Sequence, residues 1–578
     1  MTPQCINSCN TPVMPSSSLV MFLERVQSAA LMSLGPTSFD PKIYVDLAVK
    51  FDLDITISAF DALSRKGLNE TIPALVFQKF VNDYFLPAGT DLVVHLPVDY
   101  VENPEGFLPK VKHPEVRLWA LKVHSLWKNL SRRVADEVSE RPDLHTLLPL
   151  PNPFVIPGSR FKEVYYWDSY WIVRGLLASK MHDTAKAIAS NLISLIETYG
   201  FVPNGARLYY TNRSQPPFLS SMVLDIYKRT KDIEFLKRAL PSLLKEHEFW
   251  NSGVHSVFIQ DAQGHKQSMS RYYAMWNKPR PESATVDEEL ASNFLNDSQK
   301  EMYYREVAST AESGWDFSSR WLSNLHDSTS ISTTKILPAD LNTYILKMEH
   351  DISFLANALG DSSISEKFSK ASTQRWSAFN SIFWNDETEQ WVDYWFGDEK
   401  NCEDVPHWKS HNQNSGVFAS NFIPIWIDIC NSDKTIVTKI MKSIKSSGLL
   451  NSYGISTSLS NTGQQWDFPN GWPPIQHMIV EGLIRSGLED ARHFAQDIAI
   501  RWLKTNYATF KETGFMHEKY NVESCGIEGG GGEYDPQTGF GWSNGVVLSL
   551  LEEFGWPQDR PIDCSDKSSH PNNGNLQN

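Results

Sequence analysis

Two acidic segments of this chain have the residue types that acid and base chemistry requires. In ESGWDFSSR (312–320), Asp316 lies between Trp315 and Phe317, and Gly314 lets a ligand approach the backbone closely. A carboxyl group desolvated by aromatic rings has its pKa raised and stays protonated near neutrality, as a general acid must. The same pattern also fits a helix cap or a core ion pair, because sequence neighbours can point in opposite directions. Glu518, in HEKY (517–520), is followed by the run Glu528-Gly-Gly-Gly-Gly-Glu533-Tyr534 and then by Gly539-Phe-Gly-Trp-Ser-Asn544. Consecutive glycines can cradle phosphate, but no Gly-Lys-Ser/Thr follows and the flanking acids would repel it. A loop, mobile or closely apposed, that carries Glu533 towards a neutral ligand fits better; a flexible loop with solvated acids is the alternative. Glu518 and Glu533 then supply two acceptors, one to activate water and one to bind hydroxyls.

Other segments supply rings and planar polar groups. PGSRFKEVYYWDSY (157–170) interleaves Arg160, Lys162, Glu163 and Asp168 with Phe161, Tyr165, Tyr166, Trp167 and Tyr170. Neither helical nor strand periodicity separates its apolar from its charged positions. Flat aromatic walls mixed with fixed donors and acceptors suit a ligand with hydroxyl edges and C–H faces, such as a sugar. A buried aromatic cluster with satisfied ion pairs fits this stretch equally well. Asn204 in Pro203-Asn-Gly205, Asn212-Arg-Ser-Gln-Pro-Pro217, Arg280-Pro-Glu282 and QWDFPNGWPP (465–474) add further planar groups able to read a hydroxyl pattern. No nucleophilic Ser or Cys triad accompanies them.

Nothing in the sequence requires a metal or cofactor. His517-Glu518 begins like a zinc-protease motif, but Tyr520 and Asn521 follow where the second His should stand. Cys5, Cys9, Cys402, Cys430, Cys525 and Cys564 are too scattered for a disulfide framework or a zinc site. The formal charge of −15 disfavours nucleic acid and anionic membranes as partners. Aromatic residues make up 12% of the chain, with 19 Trp, which tilts the reading towards stacking platforms for sugar rings.

These residues need a scaffold, and the periodicity predicts a mainly helical one. Asp183 can cap a helix with Ala185, Ile188, Leu192, Leu195, Ile196 and Tyr199 on one face and Gly200 at its end. Asp232 opens a second, through Phe235, Leu236, Ala239, Leu243 and Leu244, which Pro241 should kink or displace. Asp340 precedes a third, and amphipathic stretches cover 361–383, 433–446, 475–486 and 489–506. Alternating strands are scarce. Long loops at 203–217, 276–284, 463–474 and 520–545 are of the kind that carries function inside a compact domain. The pattern suggests an all-α toroid of helical hairpins, and the absence of a fixed sequence period argues against a superhelical repeat array. Residues 1–17 and 557–578 read as loose, disordered tails. The longest apolar run near the N-terminus, Leu19 to Leu23, is too short for a signal or membrane-spanning segment. Glycosylation motifs begin at Asn69, Asn129, Asn212 and Asn296, about as many as chance provides.

PGSRFKEVYYWDSY and QWDFPNGWPP together resemble the two signature segments of the trehalases, and the resemblance runs from roughly residue 40 to 556. Ser159 stands where that family usually has a second Gly, a departure most like the plant members. The resemblance implies an (α/α)6 barrel spanning one catalytic domain, 18–556, and an inverting glycosidase that splits α,α-trehalose into two glucoses without a cofactor. It implies Asp316 as general acid and Glu518 as general base. It implies a binding set of Arg160, Trp167, Asp168, Asn204, Arg213, Ser214, Gln215, Arg280, Pro281, Glu282, Gly314 and Glu533. The acid and base carboxyls of an inverting enzyme are expected about 6.5–9.5 Å apart, leaving room for the attacking water. The arginines are expected to hold sugar hydroxyls and to favour an ionised Glu518, and the glycine-rich loop is a candidate lid. The resemblance also suggests a soluble extracellular or cell-surface protein, although no signal or anchor is visible. Two other readings stay open: a disaccharide phosphorylase of a related toroid, which the acidic 528–533 loop disfavours, and a catalytically silent trehalose-binding or sensing protein.

Overall fold

The computed structural model describes residues 12–37, 39–64, 71–397, 405–427 and 433–564. Cys5, Cys9, Cys402, Cys430 and Asn69 lie outside the described residues. The longer helices after the N-terminal layer are, in chain order, α1 (Pro114–Leu130), α2 (Asp168–Ala178), α3 (His182–Tyr199), α4 (Leu219–Thr230) and α5 (Ile233–Trp250). They continue with α6 (Asp297–Ser313), α7 (Ala339–Ala358), α8 (Ser362–Phe383), α9 (Lys434–Ser446), α10 (Pro473–Arg485), α11 (Glu489–Thr513) and α12 (Gly541–Phe554).

The predicted apolar faces account for these helices, while some caps come from elsewhere. α3 buries Ala185, Ile188, Leu192, Leu195 and Ile196 and ends at Gly200, whose φ of +83° suits a residue without Cβ. Asp183 lies inside its first turn. The cap is Asp99, whose Oδ2 accepts from the main-chain N–H of Asp183 at 2.7 Å and of Thr184 at 3.0 Å. Asp232 caps α5 as expected, accepting from Phe235 N at 2.9 Å, and α5 continues through Pro241 as one helix. Asp340 is buried within the first turn of α7, where Arg320 holds it at 2.6 and 2.9 Å.

Packing closes these helices into a ring. α2, α4, α7, the 3-10 segment Ala419–Trp426, α10 and α12 each contact the next, and α12 returns to α2. α3, α5, α8, α9, α11 and α1 stand outside their inner neighbours. This is an all-α (α/α)6 toroid. One inner position is a 3-10 segment containing Pro424, which has no N–H to donate to a regular α-helix. The ring closes at glycines: a Cβ on Gly545 would lie 1.9 Å from the carbonyl oxygen of Trp171, and one on Gly175 would lie 2.5 Å from Gly545 Cα. Only residues without side chains permit that approach. The strands are short, the longest pair being the hairpin of Ser256–Gln260 and Lys266–Ser270.

The chain before α1 forms a layer with its own apolar cluster. Phe22, Leu23, Val26, Phe60, Phe77, Phe80 and Phe85 pack together and take in Tyr165, Tyr209 and Tyr210 from the barrel loops. Buried charges stitch the layer to those loops: Lys42 reaches Asp46 at 2.8 Å and Glu163 at 2.7 Å, and Arg207 reaches Glu163 at 2.9 Å. After α12, Ile562 is buried and Cys564 forms a disulfide with Cys525. No described helix is long and apolar enough to cross a membrane.

Candidate active site

The loops predicted to carry function contribute to one cavity. α6 ends at Gly314 in a left-handed turn with φ +73°, and a Cβ there would lie 2.7 Å from the Trp167 ring. The turn sets Trp315 into the core and leaves Asp316 at the cavity wall. Asp316 is half-buried at the cavity wall, with Trp315 and Phe317 on either side of it in the chain. That desolvation pushes its carboxyl up to about 7; Arg280 pulls it down and Glu533 pushes it up further. Gln465 fixes the segment by donating from Nε2 to the main-chain oxygen of Asp316 at 2.5 Å.

Glu518 lines the same cavity from the loop after α11 and is buried. Its Oε1 accepts from the Tyr534 hydroxyl at 2.9 Å, and Lys519 Nζ lies 3.5 Å from Oε2. Asp168, at the start of α2, is held well above the ordinary carboxylate range by burial first and then by the negative charges of Glu518 and Asp316. Asp168 thus lies within electrostatic reach of both Glu518 and Asp316.

The arginines have partners other than Glu518. Arg160 pairs with Asp40, Arg213 with Glu282 at 2.5 Å, and Arg280 with Asp287 at 2.6 Å and Glu533 at 2.8 Å. The expected influence of these guanidinium groups therefore falls on Asp316, through Arg280 and Arg213. The cation beside Glu518 is Lys519. Arg213 Nε and Glu282 Oε2 are buried without a protein partner, and both residues line the cavity.

Trp167, Asn204, Gln215 and Gly314 also line the cavity. Asn204 additionally donates to the carbonyl oxygens of Ser214 and Ala311, both at 3.2 Å. Two expected residues point elsewhere. Ser214 gives its hydroxyl to Val202 O at 2.7 Å, and Pro281 opens a 3-10 turn whose carbonyl accepts from Gln27. Both act on the backbone beside residues that do line the cavity.

The glycine run is the closely apposed form of the expected loop. Gly529 N donates to Lys519 O at 2.9 Å, and Gly530 exchanges hydrogen bonds with the Asn470 side chain at 2.9 and 3.1 Å. A Cβ on Gly531 would sit 2.3 Å from Gly463 O, and one on Gly532 would sit 2.8 Å from Gln465 Oε1. Beyond the run, Glu533 Oε2 accepts from Ser283 at 2.9 Å, so this acid is held between Arg280 and Ser283.

The sequence reading did not single out Tyr534, Gln465, Trp466, Trp472 and Trp542 as site residues, yet all five line the cavity. They lie in segments already marked by their Trp, Gly and Asn content. Trp466 and Trp472 stack at 4.0 Å with planes 2° apart, and Trp315 stacks on Trp466 at 5.0 Å. Among the described residues, no group of His, Cys, Asp and Glu could hold a metal ion.

The chain is similar to known proteins along nearly its whole length. The family model described as Trehalase matches residues 37–555. A probable trehalase of Oryza sativa subsp. japonica is 58% identical, covering 95% of this chain and 98% of that protein. A trehalase of Arabidopsis thaliana is 54% identical, covering 96% of this chain and 88% of that protein. Among solved structures, the neutral trehalase of Saccharomyces cerevisiae superposes with a TM-score of 0.54 at 25% identity, covering 69% of this chain and 73% of that one. With both signature segments at one cavity in an (α/α)6 ring, this chain belongs to the trehalase family.

Proposed function

We propose that this glycosidase hydrolyses α,α-trehalose to two glucose molecules with inversion, using Asp316 as general acid and Glu518 as general base. Asp316, protonated, gives its proton to the bridging oxygen as the bond from that oxygen to the anomeric carbon breaks. Water attacks the same carbon from the opposite face and loses a proton to Glu518. One glucose leaves with its α configuration, and the other is released as β-glucose. Arg160, Arg213, Arg280, Asp168, Asn204, Gln215 and Glu282 hold hydroxyl groups, and the tryptophans supply apolar walls. Glu533 acts through Arg280, keeping that guanidinium in place beside the acid.

The observation that carries this reading is the state of Asp316. Its carboxyl is raised to about 7 at the wall of a cavity that Glu518 also lines, and a carboxyl that holds its proton near neutrality can serve as the acid. Time-resolved proton NMR of the purified protein with α,α-trehalose tests it. Equal early release of α- and β-glucose, before mutarotation, is expected. Release of α-glucose alone would overturn inversion, and absence of hydrolysis across a broad pH range would overturn the activity.

A further inference from the structure

The layer in front of the barrel touches the site at a point that the catalytic reading does not use. Asp40 precedes the short helix Pro41–Val45 and is its N-cap, with Oδ1 accepting from Lys42 N at 2.9 Å. The same carboxylate takes both arms of Arg160: Nε donates to Oδ2 at 2.9 Å and Nη2 to Oδ1 at 2.8 Å. A two-armed carboxylate contact fixes the plane of a guanidinium as well as its position.

Arg160 passes that constraint on. Its guanidinium carbon lies 4.9 Å above the centre of the Tyr534 ring, and the Tyr534 hydroxyl donates to Glu518 Oε1 at 2.9 Å. Asp40, Arg160, Tyr534 and Glu518 thus form one line of contacts from the N-terminal layer to the candidate base. The layer is anchored at a second point of the site, since Gln27 Nε2 donates to Pro41 O and to Pro281 O, both at 2.8 Å. Asp40 does not line the candidate active-site cavity; it faces a neighbouring cleft shared with Ser159, Lys162 and Gln537, and Arg160 lines both.

We propose that Asp40 is a positioning residue for the reaction, setting Arg160 and, through Tyr534, the carboxylate of Glu518. The proposal rests on the reading of Glu518 as the base. It makes the N-terminal layer part of the working site, because the barrel loops alone lack the carboxylate that orients Arg160.

Asp40→Asn separates this role from helix capping, since Asn caps as well as Asp but cannot offer two charged acceptors to Arg160. In the full chain, Asp40→Asn should keep its melting temperature and lose roughly tenfold or more in kcat/KM for trehalose, with kcat falling as well as KM rising. Asp40→Glu should recover most of that loss. The double variant Asp40→Asn/Tyr534→Phe should lose less than the product of the two single losses, although Asp40 and Tyr534 are linked only through Arg160. A kcat/KM for Asp40→Asn equal to wild type, independent losses in the double variant, or no recovery in Asp40→Glu would each overturn the proposal. Should Asp40→Asn fail to fold, Arg160→Lys, which keeps the charge without the fork, must show the same combined loss in kcat and KM. An Arg160→Lys that works as wild type would overturn it equally. Wild-type protein that releases no glucose would count against the functional reading itself, whereas an active wild type with an indifferent Asp40 variant sinks only this proposal.

Discussion

Lys519 Nζ donates to Gln465 Oε1 at 2.9 Å, and Gln465 donates its own amide to the main-chain oxygen of Asp316. One side chain therefore spaces the acid-bearing segment from the residue next to Glu518. Replacing it with Leu removes both bonds and leaves the buried ammonium with Glu518 as its near partner. Gln465→Leu should lower kcat about tenfold and reduce the melting temperature by a few degrees, since each lost bond leaves a buried group unsatisfied at about 1–3 kcal/mol. Steady-state kinetics and a thermal melt on the same preparation read both effects.

Asp316→Asn and Glu518→Gln should each reduce kcat by about 10²- to 10⁴-fold, the usual contribution of a positioned acid or base. Circular dichroism should show the helical fold intact in both. Near-normal turnover in either variant removes that residue from its role.

Ionisation of Asp316 governs both the alkaline limb of activity and part of the pH dependence of stability. As the proposed general acid Asp316 must be protonated, and its carboxyl is raised to about 7. Turnover should fall as pH rises through about 7, giving the alkaline limb of kcat/KM. Glu533 contributes to the raised value, so Glu533→Gln should move that limb to lower pH. In the folded protein the ionised form is disfavoured relative to the unfolded chain. Asp316 therefore contributes stability below the ordinary carboxylate range, and that contribution is lost as pH rises through about 7. Asp316→Asn should melt higher than wild type above neutrality, with the advantage vanishing in acid.

Arg280 is buried between Asp287 and Glu533. Arg280→Ala leaves two carboxylates without their cation. Breaking a buried pair from one side costs about 3–5 kcal/mol, so the variant should show a marked loss in denaturant midpoint as well as in activity. A melt equal to wild type would mean that the two acids find other partners.

The glycine run offers a test of fit. Gly531 has φ +73° and no space for a Cβ against Gly463 O. Gly531→Ala should push the run off the 463–465 segment and displace Glu533 from Arg280. The expected result is a loss of roughly tenfold or more in kcat/KM with about 1–3 kcal/mol of stability. Unaltered kinetics would show that the loop tolerates displacement.

Asp316, Glu518 and most of the other cavity-lining residues expected from the sequence were legible because they sit in segments whose composition no ordinary helix or strand explains. The sequence marks segments more readily than directions. Ser214 and Arg213 are neighbours, yet one faces the backbone of Val202 and the other the cavity. Tyr534 lay beside Glu533 in a marked loop, but its bond to Glu518 spans two segments of different conformation. The Asp40–Arg160 contact joins residues 120 apart, a pairing that only the packed N-terminal layer creates. The helical periodicity foretold the ring but not its 3-10 member, since Ala419–Trp426 is buried along its whole length, so no polar face sets a helical period, and it carries Pro424. Asp99 as the cap of α3 was hidden for the same reason as Asp40: the partner comes from a distant loop.

Closure of the ring between α2 and α12 has a consequence for the order in which this protein can be made. α2 carries Asp168 at its first residue, whereas α12 supplies Gly545, which seats against Trp171. During synthesis the first inner helix must wait, with one flank bare, until nearly the whole chain has left the ribosome. An incomplete chain has an open arc in place of a ring and exposes Trp171 and Ile172 at its edge, both buried in the finished molecule. Such arcs are candidates for chaperone capture, and a chain stopped before residue 541 should be held or degraded rather than accumulate as a partly active enzyme.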